Sequence, residues 1–154
     1  MKKNNLFILR PIKTSDSHAF YSLATSAQSG LSNLPKTFAA AKALISTSIH
    51  SFSDKLLDQH KRFLFVIEHN KTIVGVSGIK ARTGVEYPYY SFLKCLQEPH
   101  PYLELISQRY GPSEIGSLFL DPKFRKKGIG RLLSLSRFLF IKSFTISMPV
   151  YSIL

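Results

Sequence analysis

Six consecutive residues, Arg125-Lys126-Lys127-Gly128-Ile129-Gly130, set three cationic side chains against two glycines. The apolar spacing that follows predicts a helix from about Gly128 to Lys142, so the cluster falls at a helix start. Backbone N–H groups there lack intrahelical partners and the helix dipole is positive, which suits a phosphate group. Glycine lacks a Cβ, so Gly128 and Gly130 let the backbone approach a pyrophosphate closely. An ordinary basic helix start with incidental glycines would carry the same hexapeptide. The preceding segment favours the phosphate reading: Ile115 to Leu120 reads as a buried strand, closed by Asp121-Pro122. No comparable chemistry surrounds Cys95, the single cysteine, which forms no intramolecular disulfide and no metal-ligand cluster.

The elements needed to position this turn are legible upstream. Leu6 to Arg10 predicts a strand, and Thr14-Ser15-Asp16 offers oxygens to cap a helix carrying Phe20, Leu23 and Ala24. Gly30 to Pro35 breaks that helix. Ala41, Leu44, Ile45, Ile49 and Phe52 predict a second amphipathic helix ending at about Phe52. Arg62 to Glu68 and Thr72 to Lys80 are rich in Phe, Val and Ile, and the short His69-Asn70-Lys71 link makes them an antiparallel hairpin. Gly84 to Tyr110 holds Pro88, Pro99 and Pro101 without a clean period and is expected to be irregular, with a short helix near Tyr89 to Leu96.

The chain has 154 residues, 44% of them hydrophobic and 19% charged, which suits one domain with a packed core. Its apolar N-terminal stretch is too short for a secretory leader, and no apolar run is long enough for a membrane helix. A cytoplasmic setting is the expectation. The net charge of +12 fits either nucleic acid or a polyanionic small molecule. The densest basic cluster, Lys123 to Lys127, lies beside the glycine pair, which favours a phosphate-bearing small molecule over a duplex.

The hexapeptide fits the Arg/Gln-x-x-Gly-x-Gly/Ala signature that follows the fourth strand and opens the third helix of GNAT N-acyltransferases. Ser113-Glu114-Ile115-Gly116-Ser117-Leu118-Phe119-Leu120-Asp121-Pro122, with Phe124-Arg125, Gly130 to Ser134 and Arg137 to Ile141, is similar to arginine N-succinyltransferases. Gly30-Leu31-Ser32-Asn33-Leu34-Pro35, Phe63 to Glu68 and Val74-Gly75 resemble the same family. These blocks together span about Leu6 to Phe144.

The resemblance implies an α+β fold, a GNAT-like mixed central sheet flanked by helices. It implies one domain over residues 1–154, ending after the third main helix and so shorter than the family. The implied reaction moves succinyl from succinyl-CoA to the α-amino group of arginine, with ornithine as the rival acceptor and no metal. Leu118, Phe119 and Leu120 would line the pantetheine arm, Leu118 at the family's succinyl-CoA contact. Arg125, Lys126, Lys127, Gly128, Ile129 and Gly130 would hold phosphate. Glu114 stands where several GNAT enzymes place a proton-relaying carboxylate, and equally suits the acceptor's cationic end or an ion pair. The histidines His18, His50, His60, His69 and His100 match no family motif and are expected at the surface. The family includes assemblies of two related subunits, so a second subunit or a homo-oligomer is an expected partner.

Three departures from the family stand out. The stretch between Tyr90 and Ser113 looks shorter, Gly116 replaces a usual cysteine, and the likeness fades from Thr145. Met148 to Leu154 would begin a fifth strand. Two other readings stay open: another GNAT acetyltransferase using the same CoA site, and a basic binding protein without catalysis, for which steeply salt-dependent nucleic-acid binding would be the sign.

Overall fold

In the computed structural model, residues 6–27, 33–96, 100–125 and 128–143 are described. In chain order the elements are β1 (Phe7–Pro11), α1 (Ser17–Ser26), α2 (Phe38–Phe52), β2 (Arg62–His69), β3 (Thr72–Lys80), β4 (Tyr89–Cys95), β5 (Tyr102–Gln108), β6 (Glu114–Leu120) and α3 (Ile129–Ser143). One four-stranded sheet runs β1-β2-β3-β6, and β4 and β5 form a separate two-stranded ribbon inserted between β3 and β6. Each neighbouring pair of the larger sheet is antiparallel, so the expected mixed sheet is purely antiparallel within the described residues. The strand expected from Met148 lies outside them. No helix among the described residues is long and apolar enough to cross a membrane.

The β2–β3 hairpin forms as expected. Asn70 and Lys71 both adopt positive φ, 49° and 63°, the two-residue turn whose twist matches its strands. Alternation along β2 then splits the core between two faces. Leu64 and Val66 join Val76 and Phe119 against Phe20, Leu23, Ala41 and Ile45 of α1 and α2. Phe63, Phe65 and Ile67 point the other way, toward Leu133, Phe140 and Ile141 of α3. Being covered on both sides, β2 and β3 read as near-continuous apolar runs. Past the end of β1, the N–H groups of Leu64 and Arg62 donate to the hydroxyls of Ser48 and Ser51 on α2, each at 2.9 Å. Helical hydroxyls thus complete the strand's backbone pairing.

Two sequence expectations are corrected. Thr14–Asp16 forms a 3-10 turn, and the Asp16 carboxylate does not cap α1. It accepts instead from the Lys13 N–H at 2.7 Å and from the Arg10 guanidinium at 2.7 and 3.0 Å. Arg10 also donates to Glu68 at 2.8 and 3.0 Å, tying β1, β2 and the start of α1 together. Tyr89 to Leu96 forms no helix: Tyr89–Cys95 is a strand paired residue for residue with Tyr102–Gln108. Its sequence alternates without segregating polar from apolar, because Phe92 and Leu93 lie on opposite faces of the ribbon. The ribbon's neck extends the β3–β6 pairing through Thr83 and Gly111, each N–H reaching a carbonyl across the neck at 3.0 Å. A Cβ on Gly111 would lie 2.3 Å from the Tyr89 ring, so only glycine fits there.

Candidate functional site

The chemistry-bearing residues gather along β6 and the turn that leaves it. Register with β3 runs Gly75↔Leu120 and Val76↔Phe119, then shifts to Gly78↔Gly116, so Ser117 and Leu118 together face Ser77. Ser117 accommodates this β-bulge with a φ of 52°. The Asp121 N–H donates to the Val74 carbonyl at 2.8 Å, so Asp121 faces β3. Strand alternation then turns the Phe119 peptide toward β3 and those of Leu118 and Leu120 toward the opposite edge. No described residue pairs that edge as a strand. Leu118 is the exposed side chain of the three, while Phe119 and Leu120 belong to the core.

The turn into α3 is built by its own side chains. Asp121 accepts from the Lys123 N–H at 2.9 Å and Pro122–Phe124 forms a 3-10 turn. Arg125 then folds back: its Nε donates to the Leu120 carbonyl at 3.0 Å, and its guanidinium lies 5.8 Å from the Phe119 ring centre. The Leu120 carbonyl is therefore already used within the chain. Lys126 and Lys127 lie outside the described residues. Gly128 has a φ of 78°, a conformation strained for any residue with a Cβ, while a Cβ there would meet nothing within 4 Å. Its carbonyl accepts the first bond of α3, from the Leu132 N–H at 2.9 Å. A Cβ on Gly130 would lie an ordinary 3.7 Å from Leu120, so packing does not demand glycine at that position. Ile129 opens α3 and packs beside Leu120 and Leu133.

On the α2 side of the bulge lies a cleft of about 340 Å³, lined by Asn33, Leu44, Arg62, Lys80, Glu114 and Ser117. Glu114 enters it from the start of β6 and accepts from Asn33 Nδ2 at 2.9 Å. The Ser117 hydroxyl donates to the Asn33 carbonyl at 3.3 Å, so Asn33 bridges carboxylate and bulge. Lys80 is the register partner of Glu114, and Arg62 pairs with Glu86 at 3.2 Å. Gly116 leaves room at the cleft floor, where a Cβ would come within 3.2 Å of Asn33.

Sequence reasoning singled out Glu114, Leu118 and the basic turn. It missed Ser117 as a bulge and Arg137 as a buried cation. Arg137 had a signal: it lies four residues from both Leu133 and Ile141, on the stripe of α3 that faces the sheet. The histidines are exposed except His69, whose ring stacks on Phe7 at 4.5 Å and meets Phe124 at 5.3 Å.

A sheet whose last described strand is bulged, unpaired along its outer edge among the described residues and followed by a glycine turn into a helix fits the GNAT acyltransferase fold. The PaiA N-acetyltransferase of Thermoplasma acidophilum, solved with coenzyme A, superposes with a TM-score of 0.56 at 16% identity, covering 92% of this chain and 75% of that one. Arginine/ornithine succinyltransferase subunit AI of Pseudomonas aeruginosa superposes with a TM-score of 0.78 at 24% identity, covering 91% of this chain and 46% of that one. Residues 7–148 match the model of the family described as arginine N-succinyltransferase beta subunit, and the chain belongs to that family. The arginine N-succinyltransferase of Escherichia coli O1:K1 is 32% identical over 151 residues. That match covers 90% of this chain and 44% of the relative, so the chain spans less than half the length of its curated relative.

Proposed function

We propose that this chain forms the acyl-CoA-binding part of an arginine N-succinyltransferase, a cytoplasmic enzyme acting on arginine or ornithine. The observation that carries the reading is the outer edge of β6, unpaired among the described residues, running straight into the glycine turn of α3. The Leu118 peptide and the Leu120 N–H along that edge suit the amides of a pantetheine arm, the Leu120 carbonyl being held by Arg125. The N–H groups at Gly128 to Gly130, with Lys126, Lys127 and Arg125 close in sequence, suit its phosphates. Phe119 contributes by backing the strand from the core.

The reaction needs a neutral amine to attack the thioester carbonyl, donors to hold the developing oxyanion, and a proton for the departing thiolate. The bulge at Ser117 and Leu118 frees backbone groups from the β3 ladder at the level of the cleft, where the carbonyl would sit. Glu114, held by Asn33, faces the same cleft and suits either the cationic end of the acceptor or its departing proton. The cleft's mixed lining of a carboxylate and two cations fits an amino acid bearing both charges. A second subunit, or a second copy of the chain, would supply the remaining groups.

Titration calorimetry with CoA tests the reading. Gly128→Val is expected to abolish binding, because φ there is positive and the backbone must reach the ligand, whereas Lys123→Ala should change it little. Equal effects would remove the backbone cradle. Thiol release from succinyl-CoA, followed with and without arginine, tests the reaction. Little arginine-dependent release is expected from this chain alone, and brisk release would place the whole apparatus, with Glu114 as base, within these residues.

A further inference from the structure

The interface between α3 and the sheet is apolar except at one level. Leu133 packs over Gly75, whose Cβ would lie 3.0 Å from it, and Phe140 and Ile141 pack in the cluster with Ile79. Arg137 lies between these contacts on α3, and Ser77 lies between them on β3, so the register sets the two at the same height. Arg137 is 4% exposed and Ser77 is 0% exposed. The Ser77 hydroxyl has no hydrogen-bond partner among the described residues. Ser77 is also the residue that faces the Ser117–Leu118 bulge.

Arg137 is anchored but not neutralised. Its Nε donates to the Ser134 carbonyl at 3.2 Å, one Nη to the Ser134 hydroxyl at 3.0 Å, and the other Nη to the Gly116 carbonyl at 3.3 Å. A guanidinium carries five N–H donors, so two remain, one on each terminal nitrogen. None of the ion pairs among the described residues involves Arg137. Desolvation by burial pushes its pKa below the ordinary arginine range. A strut from α3 to a carbonyl needs only a neutral donor, whereas burying a cation without an anion is costly. Bonded to the Gly116 carbonyl, this cation is held one residue from the bulge, under α3 on the sheet face opposite the cleft.

Resting on the acyl-CoA reading above, we infer that Arg137 receives the distal carboxylate of a dicarboxylic acyl-CoA, with the Ser77 hydroxyl as a second donor, and so selects succinyl over uncharged acyl groups. The anchor on Ser134 and Gly116 holds the guanidinium plane, and the spare donors offer the fork that carboxylates prefer. An acetyl donor has no use for such a group.

The test is calorimetry on the full chain with CoA, butyryl-CoA and succinyl-CoA, the last two alike in carbon count and differing in the terminal carboxylate. The wild-type chain is expected to bind succinyl-CoA at least about tenfold more tightly than butyryl-CoA, the scale of a charge-assisted hydrogen bond. R137Q should bring that ratio to near one, and R137K should lower it. A wild-type ratio near one, with CoA itself bound, overturns the assignment while leaving the CoA reading intact. A folded R137Q that keeps the preference also overturns it, as does an R137K chain matching wild type should R137Q not fold. Failure of all three ligands to bind overturns the CoA reading and the assignment with it.

Discussion

Two antiparallel strand pairs of similar length occupy this chain under opposite conditions. β2 and β3 are buried on both faces between α1, α2 and α3, and a two-residue turn fixes their register. β4 and β5 are just as rich in aromatic and aliphatic residues, yet Phe92 stays 68% exposed and Leu105 58%. The difference lies outside the strands. A strand pair is marginal in water unless something covers a face, and only the first pair has helices to do so. Composition sets what a segment can pair with, and neighbours decide what it gains from pairing.

The sharpest way to break this comparison is at Leu133, fully buried over the central pair against Ile67, Gly75 and Leu120. Leu133→Ala is expected to cost about 2–5 kcal/mol in denaturant unfolding, from lost burial and the cavity left behind. A cost below about 1 kcal/mol would mean that α3 covers the sheet no better than solvent covers the ribbon.

The next effect concerns the edge of the same sheet. Burial pushes the Asp16 carboxyl upward, but the Arg10 hydrogen bonds and the Lys13 N–H outweigh it and hold the pKa below the usual carboxylate range. A lowered folded-state pKa contributes stability that is complete above the unfolded value and fades as pH falls through the folded one. Asp16→Asn should therefore lose about 1.5–3 kcal/mol at neutral pH, as for hydrogen bonds to charged groups. It should also flatten the acid limb of the stability profile, and an unchanged limb would show that the pairing is not maintained in solution.

The same contrast explains what could be read in advance. Helices α2 and α3 and the central hairpin announced themselves because burial imposes periods on their residues: Ala41, Ile45 and Ile49 on one helix, Phe63, Phe65 and Ile67 on one strand. The glycine turn was legible because its cations and glycines are contiguous. The ribbon was not, since Tyr90 and Phe92 on one face and Tyr89 and Leu93 on the other leave no period to find. Asp16 looked like a helix cap because sequence shows the oxygen but not Arg10, which arrives from β1. The Ser117 bulge follows from a pairing of β6 with β3 that no local pattern encodes. Arg137 sat in plain view on the buried stripe of α3, yet a lone cation at helical spacing becomes informative only once the absence of a described carboxylate near it is known.

A smaller effect would sharpen the comparison at the turn. Lys71 holds a φ of 63°, a conformation strained for any residue with a Cβ, in the one link that fixes the β2–β3 register. Lys71→Gly should raise stability by less than about 1 kcal/mol, the relief of strain being partly offset by the freer unfolded chain. A fall in melting temperature would mean that the lysine side chain contributes a contact that outweighs its backbone strain.

The smallest expected effect belongs to the ribbon. Phe92 and Leu105 face each other across β4 and β5, and each already meets water over most of its surface. Replacing both with serine removes one cross-strand pair and no core contact, so unfolding of the chain should shift by no more than about 0.5 kcal/mol, the range of surface substitutions. What should change is association, because an exposed apolar face with open strand edges is a template for other chains. The double variant is expected to scatter less light at high protein concentration while its melting curve overlays that of the wild type. Hydrogen exchange should show β4 and β5 amides opening first in both proteins, independently of β2 and β3. A large loss of stability would instead require that this face packs on something in solution, and the two strand pairs would then differ in partner rather than in cover.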